Sequence, residues 1–388
     1  MNKLSSRFSL QYPEKQSENS IINNTKPATL KLIQAYGKSS ESWNNLLIQG
    51  DNLNILSKLA SDPKFKGKVR LIYIDPPFGT GQNFNTENDL NKSEKNAYSD
   101  ELIGHEFLEF LRKRMVLMKE LLADDGSIYV HLDQRMAHYV KIVMDEIFGI
   151  NNFRSWITRK KCHPKGFTKK NFGNIQDFIL FYTKSKNYIW NKPLDELTPE
   201  KIISSEYRYV EDNTSRIFKK VPIHAPGERN GETGKPWKGM KPPKGKHWQW
   251  IPSKLEAFDK EGRIYWSKNG NPRLKIYLDE RNGISVQNIW LDFLDPMNQH
   301  TSKTDYPTEK NQLLLERIIK CSTNEGDIVL DCFVGSGTTL SASTVLGRKW
   351  IGIDRSSTAI KTSIKRLKHQ TERKEQIDKI NFQLYNSI

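Results

Sequence analysis

The ten residues from Val69 to Phe78, VRLIYIDPPF, join a compact apolar run to an abrupt polar end. An apolar run of this length that is bounded by turn-forming residues is typical of a strand buried on both faces of a parallel sheet. Its carboxyl end opens directly into Asp75-Pro76-Pro77-Phe78. Because open α/β sheets bind ligands outside the carboxyl ends of their strands, we predict a central strand followed by a ligand-binding loop.

The Asp-Pro-Pro-Phe loop offers hydrogen-bond acceptors rather than donors. Its two prolines fix φ and remove two backbone N–H groups, whereas their carbonyl oxygens remain as acceptors. Asp75 adds a carboxylate, and Phe78 adds a flat apolar ring. This combination suits the amino group of an aromatic base, whose two hydrogens would bind Asp75 and the Pro76 carbonyl while its ring stacks on Phe78. A purely structural Pro-rich turn is the alternative for the motif taken alone.

A second loop, near the carboxyl end of the chain, has features of a nucleotide site. Asp331-Cys332-Phe333-Val334-Gly335-Ser336-Gly337-Thr338-Thr339 follows a predicted strand and opens a predicted helix. Glycines let the backbone turn tightly and approach a ligand closely. Asp354 ends the next predicted strand, where an acid commonly binds ribose hydroxyls. The third glycine of the dinucleotide pattern is missing, so the Gly-x-Gly turn alone is equally consistent with a plain strand-to-helix turn.

Apolar periodicity divides the chain into two similar flanks and a different middle. Strands are predicted at residues 46–51, 69–74, 127–132, 178–182, 327–330 and 349–353. Helices are predicted at residues 53–59, 107–122, 136–148, 311–321, 338–346 and 358–367. This alternation indicates an α/β fold with one doubly wound, mostly parallel sheet to which both flanks contribute. The predicted divisions are an N-terminal arm (1–44), two halves of the α/β domain (45–185 and 301–388, the second with a C-terminal tail) and a loop-rich insert (186–300).

The charge balance favours a polyanionic partner. The net charge is +16, from 61 Lys and Arg against 45 Asp and Glu, and nucleic acid is the simplest partner for such an excess. An anionic membrane surface is the rival, but no basic amphipathic helix or lipidation signal supports it. The cysteines, Cys162, Cys321 and Cys332, form no zinc-spaced cluster, so we expect no metal and a reducing compartment. Without an apolar signal segment or a run of the ~20 apolar residues that a bilayer requires, we expect a cytoplasmic protein.

Together these motifs resemble the β class of DNA amino-methyltransferases, in which a DPP[YF] loop precedes an FxGxG loop. The resemblance covers residues 46–185 and 286–370. It implies the fold of S-adenosylmethionine-dependent methyltransferases, with S-adenosylmethionine as cofactor. It also implies methylation of the N6 amino group of adenine in double-stranded DNA, after the base is flipped out of the helix. Asp-Pro-Pro is similar to the adenine-specific members, whereas cytosine-N4 enzymes more often carry Ser at the first position.

The resemblance also assigns roles to residues. The catalytic residues would be Asp75, Pro76, Pro77 and Phe78. Gly50-Asp51-Asn52-Leu53 is similar to the family's GDNL segment near the cofactor's adenine, and Pro307-Thr308-Glu309-Lys310 resembles its TxKP element at the methionine end. Asn311 and Cys332 stand where prolines are usual, so the cofactor contacts there are open. The implied cofactor-binding residues are Asp51, Asp75, Thr308, Lys310, Asp331, Phe333, Gly335, Ser336, Gly337, Thr338 and Asp354.

Residues 186–300 occupy the place at which members of the family carry target recognition. Between Asn213 and Trp250 the chain has nine Lys or Arg against two Glu, and tryptophans interleave with the charges. Basic side chains bind phosphates, and aromatic side chains reach bases. A small β-rich subdomain with Trp in its core is the alternative, and it is favoured for each single Trp. The predicted DNA-binding residues are Lys219, Lys220, Lys235, Lys238, Lys241 and Lys244, with Lys160, Lys161, Lys165, Lys169 and Lys170 in a second basic cluster, predicted as a loop beside the cleft.

Other functions remain as alternatives. Cytosine-N4 methylation would use the same geometry on another amino group. Methylation of RNA or of protein glutamine is disfavoured, because those enzymes usually carry Asn at the first loop position. A non-catalytic DNA-binding specificity subunit is a different class of function, and the intact Asp75 and glycine loop speak against it. Type III modification subunits share many of these stretches but are usually longer, so we expect a type II modification enzyme or an orphan. Its expected partners are duplex DNA and a separately encoded restriction endonuclease, with a homodimer as a further alternative.

Overall fold

A computed structural model describes residues 9–37, 43–77, 104–164, 166, 170–196, 207–295, 310–373 and 381–388. The chain divides into two compact units. The larger unit comprises Met1–Pro193 and Gln287–Ile388, and the smaller unit comprises Leu194–Val286. No helix within the described residues is long and apolar enough to span a membrane.

The secondary structure follows the chain in this order. The strands are β1 (Leu30–Tyr36), β2 (Asn45–Gln49), β3 (Val69–Ile74), β4 (Leu122–Leu132), β5 (Phe153–Lys160), β6 (Gln176–Thr183), β7 (Leu194–Asp195), β8 (Tyr209–Val210), β9 (Ile217–Pro222), β10 (His224–Pro226), β11 (Lys246–Trp248), β12 (Ile264–Trp266), β13 (Pro272–Tyr277), β14 (Ile284–Ser285), β15 (Ile289–Trp290), β16 (Ile328–Asp331), β17 (Lys349–Asp354) and β18 (Phe382–Ser387). The helices are α1 (Glu18–Asn24), α2 (Asn52–Ala60), α3 (His105–Leu121), α4 (Ala137–Phe148), α5 (Pro252–Lys260), α6 (Gln312–Ser322), α7 (Thr338–Val345) and α8 (Ser357–Arg373).

The larger unit is built on a ten-stranded sheet in the order β1-β18-β2-β17-β16-β3-β4-β6-β5-β15. Its five central neighbours, from β2 to β4, all run parallel. Antiparallel pairs join β4 to β6, β6 to β5 and β1 to β18. The prediction of one mostly parallel sheet assembled from both flanks is therefore confirmed.

Helices cover both faces of this sheet. Side chains alternate between faces along a strand, and neighbouring residues of β2 show the result. Ile48 packs in the core with apolar residues of α2, α3 and α4. Leu47, one position earlier, packs with apolar residues of α7 and α8. Burial on both faces explains why the central strands are near-continuous apolar runs.

The predicted elements of the flanks are present, and β3 has its predicted bounds, Val69–Ile74. The sequence patterns missed β1, β5, β15 and β18. Strand β1 lies within the stretch predicted as an arm, and most of its residues are exposed, so it carries no alternating apolar signal. The predicted end of α3, residue 122, is one residue beyond the observed end at Leu121, whereas β4 begins at Leu122, five residues before its predicted start.

The smaller unit lies within the predicted insert. Its main sheet is antiparallel, in the order β12-β13-β9-β8, and β10 pairs with β11 while β14 pairs with β7. Trp237 and Trp248 are each 3% exposed and form its core with Ile223, Leu255, Ile264 and Leu274. These two tryptophans therefore stabilise a subdomain core. This agrees with the alternative interpretation of the insert, in which each single Trp is a core residue.

Candidate active site

Three aspartates lie at the carboxyl ends of three neighbouring parallel strands. Asp354 is the last residue of β17, Asp331 is the last residue of β16, and Asp75 directly follows β3. Carboxyl ends of parallel strands meet at one edge of a sheet, which is where open α/β folds bind ligands. The structure therefore brings together the two loops that were predicted from distant parts of the sequence.

Asp331 closes the glycine loop onto itself. Its Oδ1 accepts a hydrogen bond of 2.9 Å from the backbone N–H of Phe333, and its Oδ2 accepts one of 2.6 Å from the hydroxyl of Thr339. Burial raises the pKa of Asp331 to about 7, and the charges of Asp75 and Asp354 add to this rise. The two hydrogen bonds act in the opposite direction, because they stabilise the charged carboxylate.

Gly337 marks the point where this loop turns into α7. Its φ of +78° lies in the left-handed region, which glycine adopts without the steric cost that other residues meet. A Cβ at this position would also lie 2.7 Å from Oγ of Ser363, which is closer than real Cβ atoms approach. Backbone conformation and close packing therefore both require glycine here.

Asp354, the acid that the resemblance places on the cofactor's ribose, is fixed by backbone N–H groups. Its Oδ2 accepts from Gly335 at 2.8 Å, and its Oδ1 accepts from Ser356 at 2.9 Å. Burial raises the pKa of Asp354 to about 6, while these hydrogen bonds oppose the rise. Asp354 thus lies against the glycine loop, as predicted for two parts of one site.

The segment that contains Asp51 is fastened to the same loop. The amide of Asn52 donates a hydrogen bond of 2.7 Å to the carbonyl of Cys332. Arg114 of α3 donates to Oδ1 of Asn52 and, at 3.0 Å, to Oδ1 of Asp51, so it links both residues. Arg114 is only 4% exposed and was missed, because one Arg in an amphipathic helix gives no sequence signal of its partners.

The Asp75 carboxylate has two oxygens in different environments. Oδ2 lies 2.7 Å from Nζ of Lys310. Oδ1 is buried and has no hydrogen-bond partner within the described part of the chain. Burial alone would lower the pKa of Lys310, but the charges of Asp75, Asp295 and Asp177 outweigh burial and raise it. The lysine is therefore a charged ammonium, and Asp75 keeps one acceptor oxygen available.

Asn311, which follows this lysine and stands in place of the family's usual proline, has a structural role. Its side chain accepts a hydrogen bond of 3.0 Å from the backbone N–H of Leu313 and caps the first turn of α6. Capping by Asn satisfies a backbone donor that the helix itself leaves unpaired. The substitution thus keeps a defined helix start directly after Lys310.

The second basic cluster differs from its prediction. We predicted a loop for this cluster, which is wrong for Lys160, because it lies on β5 together with its neighbour Arg159. Arg159 is fully buried, and Nζ of Lys161 lies 2.8 Å from Oδ1 of Asp177. Lys170 is exposed. Four predicted site residues, Phe78, Lys165, Lys169 and Thr308, lie outside the described residues.

Five of the six predicted DNA-binding lysines of the smaller unit fall into two groups. Lys235 forms an ion pair with Glu232, and Nζ of Lys238 lies 2.6 Å from Oδ2 of Asp259. The second group has no ion pair with an acid that the structure describes and comprises Lys220, Lys241 and Lys244. Lys219 and Lys220 lie on β9.

Comparison with known proteins identifies the family. A family model described as DNA methylase matches residues 69–365. The chain belongs to the DNA methylase family. It is 44% identical over 364 residues to the type II methyltransferase M.EcaI of Enterobacter cloacae, a match that covers 94% of this chain and 78% of the relative.

More distant relatives include both free-standing enzymes and modification subunits. The chain is 25% identical over 323 residues to the DNA adenine methyltransferase YhdJ of Escherichia coli K12, covering 83% of this chain and 82% of the relative. It is 28% identical over 389 residues to the probable type III HindVI Mod subunit of Haemophilus influenzae. That match covers 84% of this chain and 50% of the subunit, so the chain spans half the length of the type III relative.

The chain is therefore a DNA methyltransferase, and S-adenosylmethionine is its methyl donor. The predictions of family, enzyme class and cofactor are confirmed. The residues at the sheet edge fit this cofactor, which combines a nucleoside with a positively charged sulfonium. Asp354 would bind the ribose, as the sequence resemblance implies, Gly337 keeps the loop backbone tight, and Asp75 and Asp331 would face the positive sulfonium.

We expect Gly337→Ala to weaken S-adenosylmethionine binding. Gly326→Ala is the matched control, since its φ is +80° against +78° but a Cβ there meets nothing within 4 Å. Both variants place Ala at positive φ and should lose about 1 to 3 kcal/mol of stability. Only Gly337→Ala must also move the loop away from Ser363, which should raise the Kd about tenfold or more. Titration calorimetry measures the Kd, and equal values for the two variants would contradict the assigned role of this loop.

Proposed function

We propose that this chain transfers a methyl group from S-adenosylmethionine to the N6 amino group of adenine in duplex DNA. The observation that carries the proposal is the Asp75 carboxylate, which has one oxygen paired with Lys310 and one buried oxygen without a partner among the described residues. An unpaired buried acceptor is costly unless a ligand satisfies it. A base amino group supplies the donor that this oxygen lacks.

The cofactor supplies an electrophilic methyl group, so the protein's task is to make the amino nitrogen nucleophilic. The lone pair of that nitrogen is delocalised into the adenine ring. When Oδ1 of Asp75 and the carbonyl of Pro76 accept its two hydrogens, the nitrogen moves toward tetrahedral geometry and its lone pair becomes available. Because the electrophile is already activated, positioning and electrostatics dominate the rate enhancement.

The target base must leave the duplex to reach this buried carboxylate. Phe78, which directly follows the two prolines, remains the predicted stacking partner for the flipped base. Stacking on an aromatic side chain stabilises a base by about 1–3 kcal/mol. Adenine is favoured over cytosine because Asp75 opens the motif as in adenine-specific members, and because the relative YhdJ is named an adenine methyltransferase.

The cellular setting is part of the proposal. M.EcaI, at 44% identity, is named a type II methyltransferase, which supports a modification enzyme whose restriction endonuclease is encoded separately. We place the enzyme in the cytoplasm with its DNA substrate. A homodimer remains a prediction from the sequence.

We also propose that the outward face of the smaller unit's main sheet contacts DNA. Leu274 and Ile264 pack into the core from one face of this sheet. Lys220 and Arg273 lie on the opposite face, because side chains alternate along β9 and β13. Tyr265, paired with Arg273, lies on the same face.

This face combines cations with aromatic rings. Nζ of Lys220 lies 3.6 Å from the ring centroid of Tyr209 and 3.4 Å from that of Tyr265. Burial lowers the pKa of His224, and the charges of Lys246 and Arg273 lower it further, so cations also gather at the neighbouring β10–β11 pair. Cations next to stacking-competent rings are the side chains with which proteins bind phosphates and bases.

The product of the reaction tests the proposed function. Duplex DNA incubated with the enzyme and S-adenosylmethionine should contain N6-methyladenine when its nucleosides are analysed by mass spectrometry. Asp75→Ala should lose this product while cofactor binding persists, because the amino group loses an acceptor. Asp124→Ala, at a side chain that is 96% exposed, is the control and should match the wild type. N4-methylcytosine as the product would show that the assigned base is wrong.

The DNA-binding face predicts a difference between two lysines of the smaller unit. Lys220→Met should weaken DNA binding and lower the slope of log K against log salt by about one, because one phosphate contact is lost. Lys238→Met is the matched control, since its ammonium already pairs with Asp259. Fluorescence anisotropy at several salt concentrations measures both. Equal slopes for the two variants would remove this face as the DNA contact.

A further inference from the structure

The Asp75–Lys310 pair belongs to a larger group of charged and polar side chains, which we call the ion cluster. Its acids are Asp75, Asp177 and Asp295, and its cations are Arg159, Lys161 and Lys310, so three negative charges face three positive ones. Tyr73 and His131 complete it. Buried charges are costly unless they are paired, and this cluster pairs every one of them.

One half of the ion cluster crosses four neighbouring strands, β3, β4, β6 and β5. The hydroxyl of Tyr73 lies 2.8 Å from Nδ1 of His131, and Nε2 of His131 lies 3.4 Å from Oδ2 of Asp177. The same carboxylate lies 3.6 Å from Nη1 of Arg159. Tyr73, His131, Asp177 and Arg159 are each no more than 3% exposed, so water screens these interactions little.

The other half of the ion cluster connects Arg159 and Lys161 to the segment that contains Phe293 and Asp295. Arg159 donates a hydrogen bond of 2.8 Å to the carbonyl of Phe293 and forms an ion pair with Asp295. The backbone N–H of Asp295 donates to the carbonyl of Lys161 at 2.8 Å. The charges of Asp295 and Asp177 act on Lys310 in addition to that of Asp75. These charges favour the ammonium form of Lys310, whose ion pair is with Asp75.

The acids whose charges affect Lys310 differ in their own interactions. Its partner Asp75 is the proposed acceptor for the base, whereas Asp177 and Asp295 form ion pairs with Arg159. Binding one carboxylate oxygen to a fixed ammonium sets the rotation of the carboxylate group. The remaining oxygen, Oδ1, then points consistently to one place, which is the requirement for catalysis by positioning.

We propose that Lys310 is a positioning residue for methyl transfer. By holding Oδ2 of Asp75, Lys310 leaves Oδ1 for the amino group of the base. This role differs from the cofactor contact that the sequence resemblance assigns to Lys310. It rests on the proposed function, since Asp75 is taken to receive that amino group.

The test compares three variants in the full-length chain. Lys310→Met removes the ammonium and keeps the side-chain length. Lys310→Arg keeps a charged donor to the carboxylate. Lys320→Met is the matched control, because it removes the same charge from a lysine that lies on α6 and is 59% exposed. Transfer of labelled methyl to DNA gives kcat and KM without regard to which base is methylated, and calorimetry gives the Kd of S-adenosylmethionine.

A positioning role predicts a specific split between these parameters. Lys310→Met should lower kcat about a hundredfold, as expected when a reacting group loses its orientation, with the cofactor Kd changed less than about threefold. Lys310→Arg should recover most of the loss, and Lys320→Met should match the wild type. A fall in cofactor affinity with kcat preserved would overturn the proposal, and so would a Lys310→Met variant that behaves like Lys320→Met.

A stability cycle tests the pair without DNA or cofactor, so it separates failure of this inference from failure of the proposed function. Lys310→Met should destabilise the chain when Asp75 is present, because it leaves a largely buried carboxylate unpaired. In an Asp75→Asn background the same substitution should cost much less. Denaturant unfolding of the four chains measures this coupling. Equal losses in both backgrounds would overturn the proposed pairing, even if Lys310→Met were too unstable for kinetics.

Discussion

Three carboxylates are largely buried next to one another at one edge of the sheet, and each is stabilised by a different set of partners. Asp75 is paired with a buried ammonium, that of Lys310. Asp331 is bound by a backbone N–H and a threonine hydroxyl. Asp354 is bound by two backbone N–H groups, one of them from the glycine loop. Because the acids lie at the ends of adjacent strands, their charges interact. The charges of Asp75 and Asp354 both raise the pKa of Asp331.

This constraint explains why the site suits its reaction. Asp331 and Asp354 have neutral hydrogen-bond donors as partners, so a positive ligand would compensate their charge, and S-adenosylmethionine carries a sulfonium cation. Burial also leaves Oδ1 of Asp75 without a hydrogen-bond donor among the residues that the structure describes, and we propose a base amino group as its partner. In the proposed mechanism, acids at strand ends therefore act on both the cofactor and the substrate through electrostatics.

Much of the fold and both loops followed from sequence because their signals are local. The apolar run of β3, the prolines after it and the spaced glycines each act within a few residues. Strand β1 was missed because it is an edge strand with mostly exposed residues, and β18 was missed because most of its residues are only partly buried. His131, Asp177 and Arg159 were missed as a group, because each interrupts an apolar strand alone and only the strand order β4-β6-β5 makes them neighbours. Lys310 was predicted as a site residue, but its partner Asp75 lies far away in the chain, so their contact needed the fold.

The most direct test of this account is the stability of the ligand-free protein as a function of pH. Burial raises the pKa of Asp331 from 3.8 to about 7 and that of Asp354 from 3.8 to about 6, so the folded chain binds protons more tightly than the unfolded chain. Protonation of Asp331 and Asp354 therefore stabilises the folded chain fully below about pH 4, and this stabilisation is lost as the pH rises through about 6 and 7. Each unit by which the folded pKa exceeds the unfolded pKa contributes about 1.4 kcal/mol. The free energy of unfolding should therefore fall by a few kcal/mol more between pH 5 and pH 8 in the wild type than in Asp331→Asn, where Asn still accepts from Phe333. Asp212→Asn, at an exposed acid, should follow the wild type. Parallel pH profiles for the wild type and Asp331→Asn would contradict the central claim that these carboxylates are buried together.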